Sequence, residues 1–477
     1  MKRYNSLEEV RQDIQAGTVT CRQLVDYYLQ NIEQKKHLNA YLEVFTDEAI
    51  AQAEAIDQKL AAGTAGRLAG MVIGLKDVLA YKDHSLQSSS RILDGFKSLY
   101  TATAVQRLLE EDAIIIGRQN CDEFAMGASN ESSAFGPVLN EVDNTLVSGG
   151  SSGGSAVAVQ ADLCLASIGS DTGGSVRQPA AFCDIIGFKP TYSRISRYGL
   201  VAYASSFDCI GTLTRSVEDA ALLLEVMAGA DDYDSTVSLK PVPPYSQQLE
   251  TDRKYRIGYI TDCFESEGLQ PEIKAAMFSA IDRFKADGHA VEGVDFHYLD
   301  FIVPSYYILT TAEASSNLSR FDGVKYGYRS PDATDLSSMY KKTRSQGFGH
   351  EVKKRIMLGT FVLSADYYDA YYTKAQRVRR LIKEKTEELL QQFDFLIMPT
   401  TPSTAFPIGG YVAEPLALYL ADIFTVQASL AGVPAISVPA GYDNKGLSIG
   451  LQILAKPFAE EHLFAFAKLV NEKILTA

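Results

Sequence analysis

The chain has 477 residues, of which 46% are hydrophobic, 22% charged and 10% aromatic; this is apolar enough for a large core and rules out intrinsic disorder as the main state. Lys and Arg number 45 against 59 Asp and Glu, a net charge of −14 at pH 7, and that global balance argues against the chain wrapping a nucleic acid by itself. No apolar run approaches the roughly 18 residues of a membrane span, and the opening Met1-Lys-Arg-Tyr-Asn5 carries no apolar stretch to make a secretory signal, so a cytoplasmic location with no membrane contact is expected.

The first sixty residues read as helices. Ser6 with Glu9, and Thr20 with Gln23, have the spacing of capping boxes. A strand is expected over 41–45 and another helix over 47–60. From residue 70 the pattern changes to short apolar runs separated by amphipathic helices: 71–75, 113–116, 163–168, 185–188, 257–260, 395–398 and 435–438. Residues 447–454 alternate, as a half-buried, antiparallel strand would. The pattern predicts an α/β fold, a large mixed and mostly parallel sheet covered by helices on both faces. One domain over 1–477 is expected: an N-terminal helical segment 1–60, a core 61–230 and a second half 231–477, with 232–250 as a surface loop. The six cysteines are widely spaced, with no CxxC and no Cys/His cluster, so buried reduced thiols are expected and no metal site.

Residues 148–155 read Ser-Gly-Gly-Ser-Ser-Gly-Gly-Ser, and residues 169–175 read Gly-Ser-Asp-Thr-Gly-Gly-Ser. A flexible linker would have this composition, but apolar segments press close on both sides. A phosphate loop wants Gly-Lys-Ser/Thr, and no Gly-Lys dipeptide occurs. Gly149-Gly-Ser-Ser-Gly153 fits the nucleophile elbow GxSxG, which needs a strong preceding strand and a late histidine; the strand before it is weak and the late histidines sit in polar contexts. The remaining chemistry is a serine nucleophile whose base is a lysine made neutral by desolvation. Lys76 ends the apolar run Met71–Leu75 and is the candidate, although a lysine at a strand end is more often a solvated charge.

Gly74-Leu-Lys-Asp77, the 149–155 segment and Gly169–Ser175 followed by Val-Arg-Gln-Pro-Ala-Ala resemble, in order and spacing, the amidase signature family. That resemblance implies a Ser–cis-Ser–Lys triad: Ser175 as nucleophile, Ser151 as bridging serine beside an unusual cis peptide, and Lys76 as base. It also implies an oxyanion hole from the amides of Thr172, Gly173, Gly174 and Ser175. Asp122-Glu-Phe-Ala-Met-Gly127, Arg194–Gly199, Phe321–Tyr326, Thr343–Gly349 and Lys354–Gly359 are similar to the branch of the family that serves as the glutaminase subunit of tRNA-dependent amidotransferases. Ser148 departs from the proline that many of these relatives carry there. The branch implies a heterotrimer with subunits B and C, mischarged tRNA engaged through the complex, ATP and Mg²⁺ in the partner subunit, and no cofactor in this chain. Its glutamine site implies Arg355 for the α-carboxylate and Asp422 for the α-ammonium, with Tyr306 assisting. Read without the resemblance, Arg355 belongs to a solvated basic helix face and Tyr306 to core packing. A stand-alone Ser-Ser-Lys amidase acting on another small amide is the alternative.

Overall fold

The computed structural model describes residues 1–266, 268–410 and 419–475. Its N-terminal helices, Leu7–Gln15 and Cys21–Gln34, begin where the capping residues stand. Thr20 and Gln23 form the reciprocal box, whereas Glu9 accepts from the amide of Asn5 while Ser6 accepts from that of Glu9.

Eleven strands form one sheet: β1 (Tyr41–Val44), β2 (Val72–Lys76), β3 (Ile114–Gln119), β4 (Ala166–Asp171), β5 (Ile186–Lys189), β6 (Cys209–Thr214), β7 (Arg256–Ile260), β8 (Ala290–Val294), β9 (Phe395–Pro399), β10 (Ala435–Tyr442) and β11 (Ser448–Leu454). Their spatial order is β1-β3-β2-β4-β6-β5-β10-β11-β9-β7-β8. The sheet is mixed, as expected, but the parallel majority is not observed. Parallel pairing is confined to β3–β2–β4 and β9–β7–β8, and the other neighbours among the described strands are antiparallel. One reason is the tight connection after β10: Asp443 accepts from the amides of Lys445 and Leu447, and Gly446 has φ +77°, so β11 returns beside β10 without a crossover helix.

Helices cover both faces, as the alternation along β5 makes plain. A Cβ on Gly187 would meet Ala180 of the helix Arg177–Phe182 at 2.6 Å, while the next side chain, Phe188, packs on Phe464 of the helix Glu460–Leu469 on the opposite face. The expected 232–250 loop lies between the helix Val217–Met227 and β7 and holds a single 3₁₀ turn, Tyr245–Gln247. All six cysteines are free and buried. No described helix is long and apolar enough to cross a membrane.

What matters for the site is that β2 and β4 are parallel neighbours. Their C-terminal residues, Lys76 and Asp171, therefore end at the same edge of the sheet, where open α/β sheets place their ligands.

Candidate active site

Lys76 is the last residue of β2 and fully buried. Its Nζ lies 2.7 Å from Ser151 Oγ, 2.8 Å from Ser152 Oγ and 3.0 Å from Ser170 Oγ. Three neutral hydroxyls cannot replace the hydration shell of an ammonium, and burial lowers the Lys76 pKa to about 8 from 10.5; the more distant negative charges of Asp122, Asp171 and Asp208 offset part of that fall. The lysine is therefore held near the point where it can take a proton at neutral pH.

The serine-rich segment is built, not flexible. The Gly150–Ser151 peptide is cis. Gly150 N–H donates to Gln178 Oε1 at 2.9 Å, the Ser151 carbonyl accepts from Asp122 N–H at 3.1 Å, and Ser152 N–H donates to the Ser175 carbonyl at 3.1 Å. A Cβ on Gly150 would stand 2.2 Å from the Asp122 carboxylate, so only glycine fits. The helix Gly153–Gln160 starts immediately afterwards. Ahead of the segment there is no strand, only isolated bridges from Leu146 and Val147, which removes the elbow geometry.

Ser175 follows β4 in the turn Thr172–Ser175. At 7% exposure it is the accessible member of the three, Lys76 and Ser151 having none. The turn is fixed by a buried ion pair that nothing in the sequence singles out. Arg177 grips Asp171 through two parallel bonds of 2.8 and 2.9 Å, and its other donors reach Thr425 C=O, Ser429 and Gln452. Asp171 in turn accepts from Gly174 N–H at 2.9 Å and Val176 N–H at 3.3 Å. The Gly174 amide is thus engaged within the turn, and the expectation that it faces an oxyanion is corrected: what Gly174 contributes is its φ of +138° and the space where a Cβ would meet Thr425 Oγ1 at 2.2 Å. Tyr306 is buried with its ring over Gly173, where a Cβ would come within 2.5 Å of it.

Arg355 leaves the helix His350–Val362 facing inward and is buried, not on the solvated face its basic neighbours suggest. Nε donates to Glu351 at 2.9 Å and Nη1 to Tyr203 Oη at 2.9 Å, and the guanidinium lies over the rings of Tyr203, Tyr307 and Tyr419. These rings and Glu351 hold its pKa well above the ordinary value against the cost of burial. Asp422 is buried, and desolvation raises its carboxyl to about 8, with Arg355 the foremost cation opposing the rise. A cavity of about 450 Å³, lined by Asp122, Met126, Ser129, Tyr307, Arg355 and Tyr419 among others, opens on this side. One buried cation and one buried acid of raised pKa beside a serine–lysine file suit a zwitterionic amide.

Ser152, Ser170, Tyr203 and Glu351 also belong to this constellation and were not read from the sequence. Ser152 and Ser170 stand inside the glycine-serine motifs; nothing local marks Tyr203.

With this geometry in place, comparison with known proteins is decisive: a sequence model described as Amidase matches residues 23–464. The chain belongs to the amidase family. Within it, the chain is 51% identical over 469 residues to the A-type subunit of glutamyl-tRNA(Gln) amidotransferase from Chlorobium luteolum, covering 98% of this chain and 96% of that one. It is 49% identical to the protein of the same name from Chlorobaculum tepidum, covering 99% of each. The crystal structure of the corresponding glutamyl-tRNA(Gln) amidotransferase subunit from Thermotoga maritima superposes with a TM-score of 0.77 at 36% identity, over 94% of this chain and 91% of that one. The peptide amidase of Stenotrophomonas maltophilia gives a TM-score of 0.82 at only 27% identity, over 98% and 96%. Fold similarity therefore spans amidases of different substrates, and sequence identity separates them.

Proposed function

We propose that this chain hydrolyses glutamine to glutamate and ammonia as the A-type subunit of a glutamyl-tRNA(Gln) amidotransferase. The observation that carries the reading is the buried Lys76–Ser151 contact at 2.7 Å beside Arg355 and Asp422, in a chain half identical to proteins of that name. Ser175 attacks the side-chain carboxamide carbon. Its proton passes to Ser151, and the Ser151 proton to neutral Lys76. The amides of Thr172, Gly173 and Ser175 are the donors proposed for the oxyanion, each worth about 3 kcal/mol in the transition state. Collapse of the tetrahedral intermediate expels ammonia, which takes back a proton through the same file, and leaves a glutamyl ester on Ser175. Water attacks that ester with the relay reversed.

Arg355 binds the α-carboxylate and Asp422 the α-ammonium. Tyr306, packed on Gly173, closes the pocket between them and the serine. The ammonia is used by partner subunits B and C in the cytoplasm, where ATP and Mg²⁺ bind in the partner and Glu-tRNA(Gln), or also Asp-tRNA(Asn), is amidated. The experiment is ammonia release from glutamine by the chain alone and with its B and C subunits, for the natural protein and Ser175→Ala. Activity that needs Ser175 and rises with partners, ATP and mischarged tRNA supports the reading. Inertness toward glutamine in the full assembly, with other amides cleaved through Ser175, replaces it with a stand-alone amidase.

A further inference from the structure

Tyr203 lies outside the glycine-serine motifs, yet it connects three parts of the site. Its ring is buried under the Arg355 guanidinium, 5.7 Å from centroid to Cζ. Its hydroxyl accepts from Arg355 Nη1 at 2.9 Å and donates to Thr310 Oγ1 at 3.0 Å, and Thr310 donates on to the Tyr306 carbonyl at 2.8 Å. This file has one direction. A guanidinium nitrogen can only donate, a backbone carbonyl can only accept, so both hydroxyls between them are oriented. At its other end, Tyr203 N–H donates to Asp208 Oδ2 at 2.9 Å, while Asp208 Oδ1 accepts from the Thr172 hydroxyl at 2.7 Å. Asp208 is buried, and one carboxylate thus ties the backbone of Tyr203 to the turn that carries Thr172, Gly173 and Ser175.

We propose that Tyr203 is a positioning residue for substrate selection: it fixes the Arg355 guanidinium at the distance from the Thr172–Ser175 turn that separates the α-carboxylate of glutamine from its side-chain amide. The proposal rests on the glutamine reading of the site. Glu351 alone would leave Arg355 free to turn about its Nε bond, because Glu351 binds the Nε edge. The Tyr203 hydroxyl engages Nη1 and supplies the second point that defines the plane of the guanidinium. An amide lacking the α-carboxylate has no use for that orientation.

The test is Tyr203→Phe in the chain co-expressed with its partner subunits, assayed on glutamine and on 4-aminobutyramide, which is glutamine without its α-carboxylate. Loss of a hydrogen bond to a charged group predicts a roughly ten- to hundredfold rise in KM for glutamine with kcat little changed. For 4-aminobutyramide KM should move by less than about twofold. In an Arg355→Met background Tyr203→Phe should add nothing, because the two act through one contact. Equal losses on both amides, or a full additional loss on top of Arg355→Met, would overturn the proposal, since a merely structural role affects both substrates alike. If the natural protein fails to prefer glutamine, the glutamine reading itself falls and this proposal with it. If it prefers glutamine, Arg355→Met abolishes that preference and Tyr203→Phe keeps it, only the role of Tyr203 is refuted.

Discussion

Shifting the pH of a glutaminase assay perturbs two groups at once, and the structure says which kinetic constant each should govern. Lys76 has its pKa lowered to about 8 by burial. At pH 7 such a lysine is neutral in about a tenth of the molecules, against about three in ten thousand for one at the ordinary value. Asp422 has its pKa raised to about 8 by burial and must ionise before it can hold an ammonium. The free enzyme is then productive only when both groups have lost a proton, so log kcat/KM should climb with a limiting slope of about 2 as pH rises toward 8, then level off. Once glutamine is bound, its ammonium lies on Asp422 and keeps that carboxylate ionised. Only Lys76 still titrates, and log kcat should climb with a slope of about 1. The assay is steady-state ammonia release from pH 6 to 9.5 at several glutamine concentrations, repeated for Asp422→Asn, which should reduce the first slope to about 1 while raising KM. A kcat that stays flat between pH 6 and 8 would refute the role given to Lys76, and equal slopes in both constants would refute the role given to Asp422.

Other consequences can be measured separately. Ser175→Ala should lower kcat by at least about a thousandfold while glutamine still binds, as calorimetry would register; loss of binding would mean that the turn itself had collapsed. Gly173→Ala would place a methyl within 2.5 Å of the Tyr306 ring, so kcat should fall by roughly a hundredfold with a destabilisation of about 1–3 kcal/mol. An unimpaired Gly173→Ala enzyme would contradict this packing. Arg177→Met leaves Asp171 buried without its ion partner and should cost about 3–5 kcal/mol by urea denaturation, whereas Arg177→Met with Asp171→Leu should recover much of it. Lys76→Met should stabilise the fold by an amount of order 3 kcal/mol at pH 7. The sign follows from the lowered pKa: between about 8 and 10.5 the unfolded chain binds the proton that the folded chain has lost, so the natural protein gains stability as pH rises and the gap to Lys76→Met closes. A gap that widens toward pH 10 would show that the lysine is stabilised by its surroundings.

The parts of this molecule legible in the sequence are those where local chemistry and tertiary position coincide. Apolar runs locate β2, β3, β4, β5 and β7 because these strands are wholly or mostly buried. The strand Cys209–Thr214 escapes because Gly and Thr interrupt its apolar residues, and Ala290–Val294 because it is a half-exposed edge strand. The parallel majority fails because periodicity carries no strand direction; that is set by connections such as the Asp443–Leu447 turn. In the site, Lys76 is marked by the apolar run before it and the serines by their glycines. Arg355 is not, since Lys353 and Lys354 give it the look of a solvated face while helix geometry turns it inward. Tyr203 and Glu351 meet Arg355 only through tertiary packing, which no spacing along the chain encodes.

The grip of Arg177 on Thr425 and Gln452 has a bearing on how the protein is made. Lys76, Ser151 and Ser175 all leave the ribosome within the first 175 residues, yet the groups that satisfy the arginine beneath the Ser175 turn arrive some 250 residues later, and β5 waits as long for its partner β10. A nascent or truncated chain therefore carries every reactive side chain in an unfinished cradle. Activity switches on late in synthesis, and an unfinished copy released into the cell consumes no glutamine.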